Sequence, residues 1–253
     1  MRLSASLIMA RPSGLDSFEI LFVRRSPTAR FMPNMCVFPG GAVDRSDGTH
    51  EDTACRVAAI RETFEETGLF YRNPNDVREV FTDNVSELTE IAASLQPVCV
   101  WQTPIEESSK LGPKGGFRTK FYFAINNCTT SGTCDGKETT DVMWVNPKRK
   151  ESHLFPIPQQ YLMNEFAKCT FSQLSRFVVQ LHEGLFRYPY YPVMVSHEGR
   201  VAYAMPGDYQ HELHVGGQRW IHRAYEEGHT IRFIRSKALV DRIEKGGNWI
   251  AKL

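Results

Sequence analysis

Little in this chain's composition advertises a partner. Thirty basic residues against twenty-nine acidic ones leave a formal charge of +1, so no global basic field attracts nucleic acid, and an anionic ligand must be met by locally placed arginines. The six cysteines, Cys36, Cys55, Cys99, Cys128, Cys134 and Cys169, stand singly. With no CxxC pair and no histidine-rich tract, zinc-site spacing is lacking, and the thiols read as reduced, in an intracellular compartment. No membrane span is expected either: the apolar stretch near the N-terminus is interrupted too soon to cross a bilayer, lacks a signal-peptide cleavage region, and reads as a first strand. Neither an internal repeat nor a low-complexity linker divides the sequence, so the tail is expected to pack on the core as an extension.

What is present is the material of a folded protein. Over 253 residues, 42% hydrophobic and 23% charged, the chain has enough apolar surface for one enlarged α/β domain or a core with a C-terminal addition. Leu7–Ala10 and Glu19–Arg25 read as strands, the second broken by Ser26-Pro27. A loop then leads to Phe38-Pro39-Gly40-Gly41. Residues His50–Thr67 carry a helical pattern, with Gly68 placed as a C-terminal cap. Strands follow at Val98–Thr103, Thr119–Ile125 and Val142–Val145, with a turn-rich loop at Asn127–Lys137. From Pro158 the pattern turns helical, Phe171–Leu185 being amphipathic, and short strand-like pieces follow at Val193–Ser196, Arg200–Ala204 and Thr230–Ile234. The expected division is a core at residues 1–150 and an extension at residues 151–253.

The run Arg61-Glu62-Thr63-Phe64-Glu65-Glu66-Thr67-Gly68-Leu69 carries the strongest chemical signal. On a helix, Glu62 and Glu66 are four apart and Glu62 and Glu65 three apart, so the carboxylates can converge on one side. Clustered like charges need a counter-charge, and Mg²⁺ or Mn²⁺ prefers such oxygen ligands together with substrate phosphate oxygens. Arg61 can orient one carboxylate through paired hydrogen bonds. An isolated acidic pair would read as a solvated helix end.

This stretch resembles the Nudix box, G-x5-E-x7-R-E-U-x-E-E-x-G-U, matching from Arg61 to Leu69 except at Thr63. The resemblance implies a Nudix α/β/α sandwich with a mixed sheet, extended here by C-terminal helices and short strands. It implies metal-dependent hydrolysis of a pyrophosphate bond, with Glu62, Glu65 and Glu66 as metal ligands and Arg61, Glu62 and Glu66 as catalytic groups. Gly41 lies farther from Arg61 than the box allows, and Thr53 stands where spacing from Arg61 calls for glutamate. The insertion Asp44–His50 is therefore expected to loop out, with Glu51 or Asp52 replacing the missing acid.

A second constellation, Leu21-Phe22-Val23-Arg24-Arg25-Ser26, Arg30, Asn34 and Phe38-Pro39-Gly40-Gly41, is similar to the coenzyme A signature of Nudix diphosphatases, with Phe22, Val23 and Asn34 departing from it. The expected substrate-binding residues are Arg24, Arg25, Arg30, Phe38, Gly40 and Gly41. Arginines ahead of a metal site suit a substrate with a pyrophosphate and a separate 3′-phosphate; alone they would read as solubilising charges. Phe117–Phe123, Trp144, Phe155-Pro156-Ile157-Pro158 and Met205-Pro206-Gly207-Asp208 look like the Nudix motif 19 branch, described as peroxisomal coenzyme A diphosphatases. That resemblance implies cleavage of coenzyme A or acyl-coenzyme A to adenosine 3′,5′-bisphosphate and 4′-phosphopantetheine or its acyl form.

Two general bases stay open, Glu62 in the box and Glu138 in the loop before Trp144. NADH, ADP-ribose or a nucleotide sugar are rival substrates, and a catalytically weak acyl-coenzyme A binding module is the rival from another class. His211 and His214, lacking a third ligand, read as packing or surface residues. Ala251-Lys252-Leu253 is one conservative step from the Ser-Lys-Leu address, so a peroxisomal location and recognition by the import receptor are expected.

Overall fold

Apolar residues alternating along both arms make the start of the chain a hairpin. In the computed structural model β1 (Arg2–Pro12) and β2 (Phe18–Arg25) run antiparallel, with Ala10 opposite Ile20. The structure describes residues 1–29, 31–82, 84–104, 115–134, 136–149, 153–214, 217–227 and 230–245. Arg30 and the C-terminal Ala251, Lys252 and Leu253, each assigned a role from the sequence, lie outside them.

Two units are distinguished: Leu3–Val98 with Thr119–Val179, and Met1–Arg2 with Cys99–Arg118 and Gln180–Leu253. This differs from a single boundary at residue 150, since residues 153–179 group with the core and the chain from Cys99 to Arg118 groups with the tail.

Seven strands form the main sheet: β3 (Cys36–Val37), β2, β1, β8 (Phe117–Ile125) and β7 (Gln96–Gln102) in that order, with β4 (Gly40–Ala42) also on β1 and β9 (Thr139–Val145) on β2. The sheet is mixed. The partners of β2 and the β1–β4 pair are antiparallel, whereas β1 and β8 run in one direction, Arg2 N–H donating to Gly116 O at one end and Asn126 N–H to Ala10 O at the other. A small hairpin, β5 (Phe70–Asn73) and β6 (Asp76–Arg78), follows the first helix.

Side-chain alternation gives the sheet two apolar faces. Leu7, Met9, Leu21 and Tyr122 pack against α1 (Glu51–Thr67) and α2 (Val85–Ala93). On the other face Phe22 meets Phe38 and Phe155, and Phe123 stacks on Phe166 of α3 (Ile157–Phe166). The α/β layering implied by the sequence is therefore present. Small residues on α1, including Ala54, Ala58 and Ala59, let the helix lie close to the sheet. Arg56 ties the helical layer together: it donates to Asp52 and to the carbonyls of Ala92 and Leu95 at the end of α2, where helix carbonyls lack partners.

After α4 (Leu174–Glu183), the other unit carries an antiparallel four-stranded sheet, β10 (Val193–His197), β11 (Arg200–Ala204), β12 (His222–Glu227) and β13 (Thr230–Arg235), then α5 (Lys237–Glu244). Its centre is a fully buried fork in which Arg223 Nε and Nη2 donate to Asp208 at 2.8 and 3.0 Å. His211 is a packing residue, as expected: Leu213 N–H donates to its Nδ1, leaving Nε2 to donate to Tyr191 O. None of the helices among the described residues is long and apolar enough to cross a membrane.

Candidate active site

The acidic run occupies the last two turns of α1, which ends where the sequence places its cap: Gly68 takes a left-handed conformation, φ 67°, and its N–H donates to Phe64 O. Thr63, the one mismatch to an aliphatic position, is fully buried and satisfies its hydroxyl by donating to Ala59 O at 2.7 Å. A threonine methyl thus serves in an apolar layer without an unpaired polar atom.

Two glycines bring the loop from β3 to β4 against this helix. Gly40 N–H donates to Glu66 Oε2 at 2.9 Å, and a Cβ on Gly40 would fall 2.3 Å from Ala5 O. A Cβ on Gly41 would fall 2.4 Å from the Glu62 carboxylate. The glycines are present because backbone must approach both β1 and the carboxylates more closely than any side chain permits.

Glu66 is 6% exposed. Burial, then the charges of Glu62 and Glu138, push its carboxyl up to about 8, against the opposing effects of Gly40 N–H and Arg25. Glu62 is also raised, first by burial and then by Glu65 and Glu138, with Arg61 working in the other direction. Burial is the first cause at both groups, and the carboxylates gathered here outnumber the nearby cations, Arg61 and Arg25. Their hard oxygen donors and missing counter-charge fit a divalent cation. Glu138 is exposed, and its charge reaches both carboxylates. Among the described residues no three Asp, Glu, His or Cys side chains converge as a ready-made metal cage. Glu65, the third expected ligand, is 53% exposed and accepts from the same Arg61 Nη1 as Glu62.

Arg61 is the organiser of this cluster. Its five N–H donors are all used: Nε and Nη2 on Asp47 at 2.8 and 3.0 Å, Nη2 also on Ala42 O, and Nη1 on Glu62 and Glu65, each at 3.0 Å. Asp47 corrects the sequence reading. The insertion does not simply loop out; a 3-10 turn, Arg45–Asp47, buries Asp47 and lets it accept Asp44 N–H at 2.7 Å. Glu51 and Asp52, expected as substitutes, instead bind Lys120 at the start of α1, and Asp52 also accepts from Tyr122. The signal for Asp47 was available, for five residues separate it from Gly41, the interval of G-x5-E in the box. Asp47→Asn is expected to cost about 1–3 kcal/mol in urea unfolding, by weakening two charge-assisted hydrogen bonds to a buried arginine. An unchanged midpoint would remove Asp47 from this role.

The two β2 arginines part company. Arg25 faces α1: it donates to Phe31 O at 2.9 Å, and its charge is felt at Glu66. Thr140 is an extra residue in β9 opposite the Arg24/Arg25 step; this bulge turns Thr139 inward, where its hydroxyl donates to Glu66 O at 3.2 Å. Arg24 points to the opposite face, toward Asp141 and His153. Phe38, expected at the ligand, is a core residue instead, 1% exposed and 4.5 Å from the Phe22 ring.

Comparison with known proteins bears on this arrangement. The NUDIX domain family model matches residues 2–156. The chain is 28% identical over 238 residues to putative nudix hydrolase 7 of Caenorhabditis elegans, covering 83% of this chain and 74% of that one. It is 23% identical over 274 residues to acyl-coenzyme A diphosphatase NUDT19 of Xenopus laevis, covering 76% and 71%. Among solved structures, a NUDIX hydrolase from Alicyclobacillus acidocaldarius aligns with a TM-score of 0.52 at 23% identity, over 67% of this chain and 92% of that one, a likeness of fold.

Proposed function

The chain belongs to the NUDIX hydrolase family, and from that premise we propose that it hydrolyses the diphosphate bond of coenzyme A and acyl-coenzyme A, releasing adenosine 3′,5′-bisphosphate and (acyl-)4′-phosphopantetheine. The observation that carries this reading is Arg25 on the same face as Glu66, in a frame closed by Gly40 and Gly41. There one arginine of a coenzyme A signature, Arg25, stands beside a carboxylate pair suited to a cation. Similarity to a named acyl-coenzyme A diphosphatase supports the same substrate class.

NUDIX hydrolases generally work with divalent metal ions, and Mg²⁺ or Mn²⁺ suits this donor set. Glu62 and Glu66 would hold the ion, which when bound supplies charge neutralisation for the diphosphate. The chain's own groups do the remainder. Arg25 binds diphosphate oxygens, Gly40 N–H fixes one oxygen of Glu66, and Arg61 holds Glu62 in place. Arg61 also disfavours proton uptake by Glu62. Glu138, exposed and within electrostatic reach of both carboxylates, is then the group that takes a proton from the attacking water.

The raised carboxyls give this reading a pH signature. Glu66 ionises near 4.5 ordinarily but near 8 when folded, so between those values the unfolded chain has released a proton that the folded chain retains. Its contribution to stability falls as pH rises across that window. A cation that binds the ionised form opposes the loss. Saturating Mg²⁺ is therefore expected to raise Tm little at pH 5.5 and markedly at pH 8.5; a shift independent of pH would contradict it.

The substrate assignment is tested by kcat/KM for coenzyme A, acetyl-coenzyme A, NADH and ADP-ribose under one metal condition. Preference for the coenzyme A compounds supports it. Preference for NADH or ADP-ribose keeps the hydrolase and overturns the substrate; tight coenzyme A binding without product favours a binding module.

A further inference from the structure

We propose that Arg24 and His153 form a second anion subsite that takes a phosphomonoester carried by the substrate beside its diphosphate. This rests on the coenzyme A reading, in which that group is the 3′-phosphate.

The geometry begins with β2. Arg24 and Arg25 are adjacent, so strand alternation sends them to opposite faces, and their neighbours agree: Arg25 acts on Glu66, Arg24 on Cys36 and His153. One arginine is thus available to the diphosphate and the other is not. In register, Arg24 lies between Cys36 of β3 and Asp141 of β9. Cys36 N–H donates to Leu154 O at 2.8 Å, which binds the His153–Phe155 segment alongside β3. The Phe155 ring, 4.9 Å from Phe22 and 5.9 Å from the His153 ring, fixes where that imidazole stands.

Both members of the pair have hydrogen-bonding capacity to give. Among the described residues the Arg24 side chain makes one hydrogen bond, a 3.4 Å contact with Asn34 O, and no ion pair, even with Asp141. His153 Nδ1 is buried with no hydrogen-bond partner, so no protein group fixes the tautomer, and the half-buried ring can direct an N–H at an anion. Burial and the Arg24 charge both hold His153 below its usual range, with Asp141 opposing them. At neutral pH the pair is therefore one cation and one neutral donor. A phosphomonoester dianion offers acceptors to both.

The test compares adenosine 3′,5′-bisphosphate with AMP, which lacks the extra phosphate, by calorimetry on wild type, Arg24→Gln and His153→Gln, alongside hydrolysis of coenzyme A and dephospho-coenzyme A. Wild type is expected to bind the bisphosphate at least about tenfold more tightly than AMP, and each variant to lose about tenfold of that ratio, the worth of one charge-assisted hydrogen bond. Arg24→Lys should restore part of it, because charge survives without the fork. Retained AMP affinity reports a folded variant, and if one variant misfolds the other decides. Equal affinity for the two nucleotides in wild type, or an unchanged ratio in the folded variants, overturns the subsite. A preserved bisphosphate preference with no cleavage of either coenzyme overturns the coenzyme A reading and leaves the subsite standing.

Discussion

Glu66→Gln is expected to lower kcat by about a thousandfold or more while raising Tm at pH 8. Losing a group that holds the neutralising cation removes several kcal/mol of transition-state stabilisation, and about 1.4 kcal/mol is tenfold in rate. The stability change has the opposite sign to most core substitutions. Glu66 is buried, and its ionised form is disfavoured up to pH about 8. The amide has nearly the same shape, and its oxygen can still accept Gly40 N–H, but it carries no charge to bury. At about pH 4, where the carboxyl is protonated in the folded and the unfolded chain alike, the Tm difference should nearly vanish. Circular dichroism melts at both pH values and a single turnover assay check the two halves separately. A variant with wild-type turnover would take Glu66 out of the chemistry.

Arg61→Ala should lose activity for another reason, and be destabilised. Arg61 is 17% exposed and its main partner Asp47 is 1% exposed, so removing it leaves a buried carboxylate without its cation, a change costing about 3–5 kcal/mol. The Ala42 carbonyl loses its donor, and Glu62 loses the contact holding it beneath Gly41. Turnover is expected to fall about a hundredfold or more. Arg61→Lys should recover little, because three rotatable donors on one ammonium cannot replace five in a planar fork. Its cost should also overlap with that of Asp47→Asn, so the double variant falls short of the sum. Strict additivity in urea unfolding would contradict a shared network. A destabilised Arg61 variant beside a stabilised Glu66 variant separates the scaffold of the site from its chemistry.

The helix that carries Glu62 and Glu66 was legible because two independent signals coincide on it, carboxylates at helical spacing and a glycine where the helix must end. The strands at Glu19–Arg25 and Thr119–Ile125 were legible for a similar reason, being long enough for alternation to register. β3 and β4, of two and three residues, are too short for any period, yet they carry the glycines to the carboxylates. Asp47 does not stand at the interval counted back from Arg61, because an insertion intervenes, whereas the glycine end of the box keeps its interval to it. Glu65 matched the motif, yet it is 53% exposed and shares Arg61 Nη1 with Glu62, a partnership that spacing alone does not show. Phe38 sits beside residues that contact the site and belongs to the core, since strand-like alternation sends its ring to the opposite face. The segment carrying β5, β6 and α2 lacks a strong period of its own; it is held by contacts such as Arg56 on the end of α2, which only the folded chain reveals.

The central claim is water attack on a diphosphate at the Glu62 and Glu66 pair, and mass analysis of coenzyme A products formed in H₂¹⁸O, with and without Mg²⁺, tests it most directly. The expected result is metal-dependent release of adenosine 3′,5′-bisphosphate and 4′-phosphopantetheine, with one ¹⁸O in a product phosphate and no such products from Glu66→Gln. Products formed equally without metal, or by the Glu66→Gln protein at the wild-type rate, would contradict it.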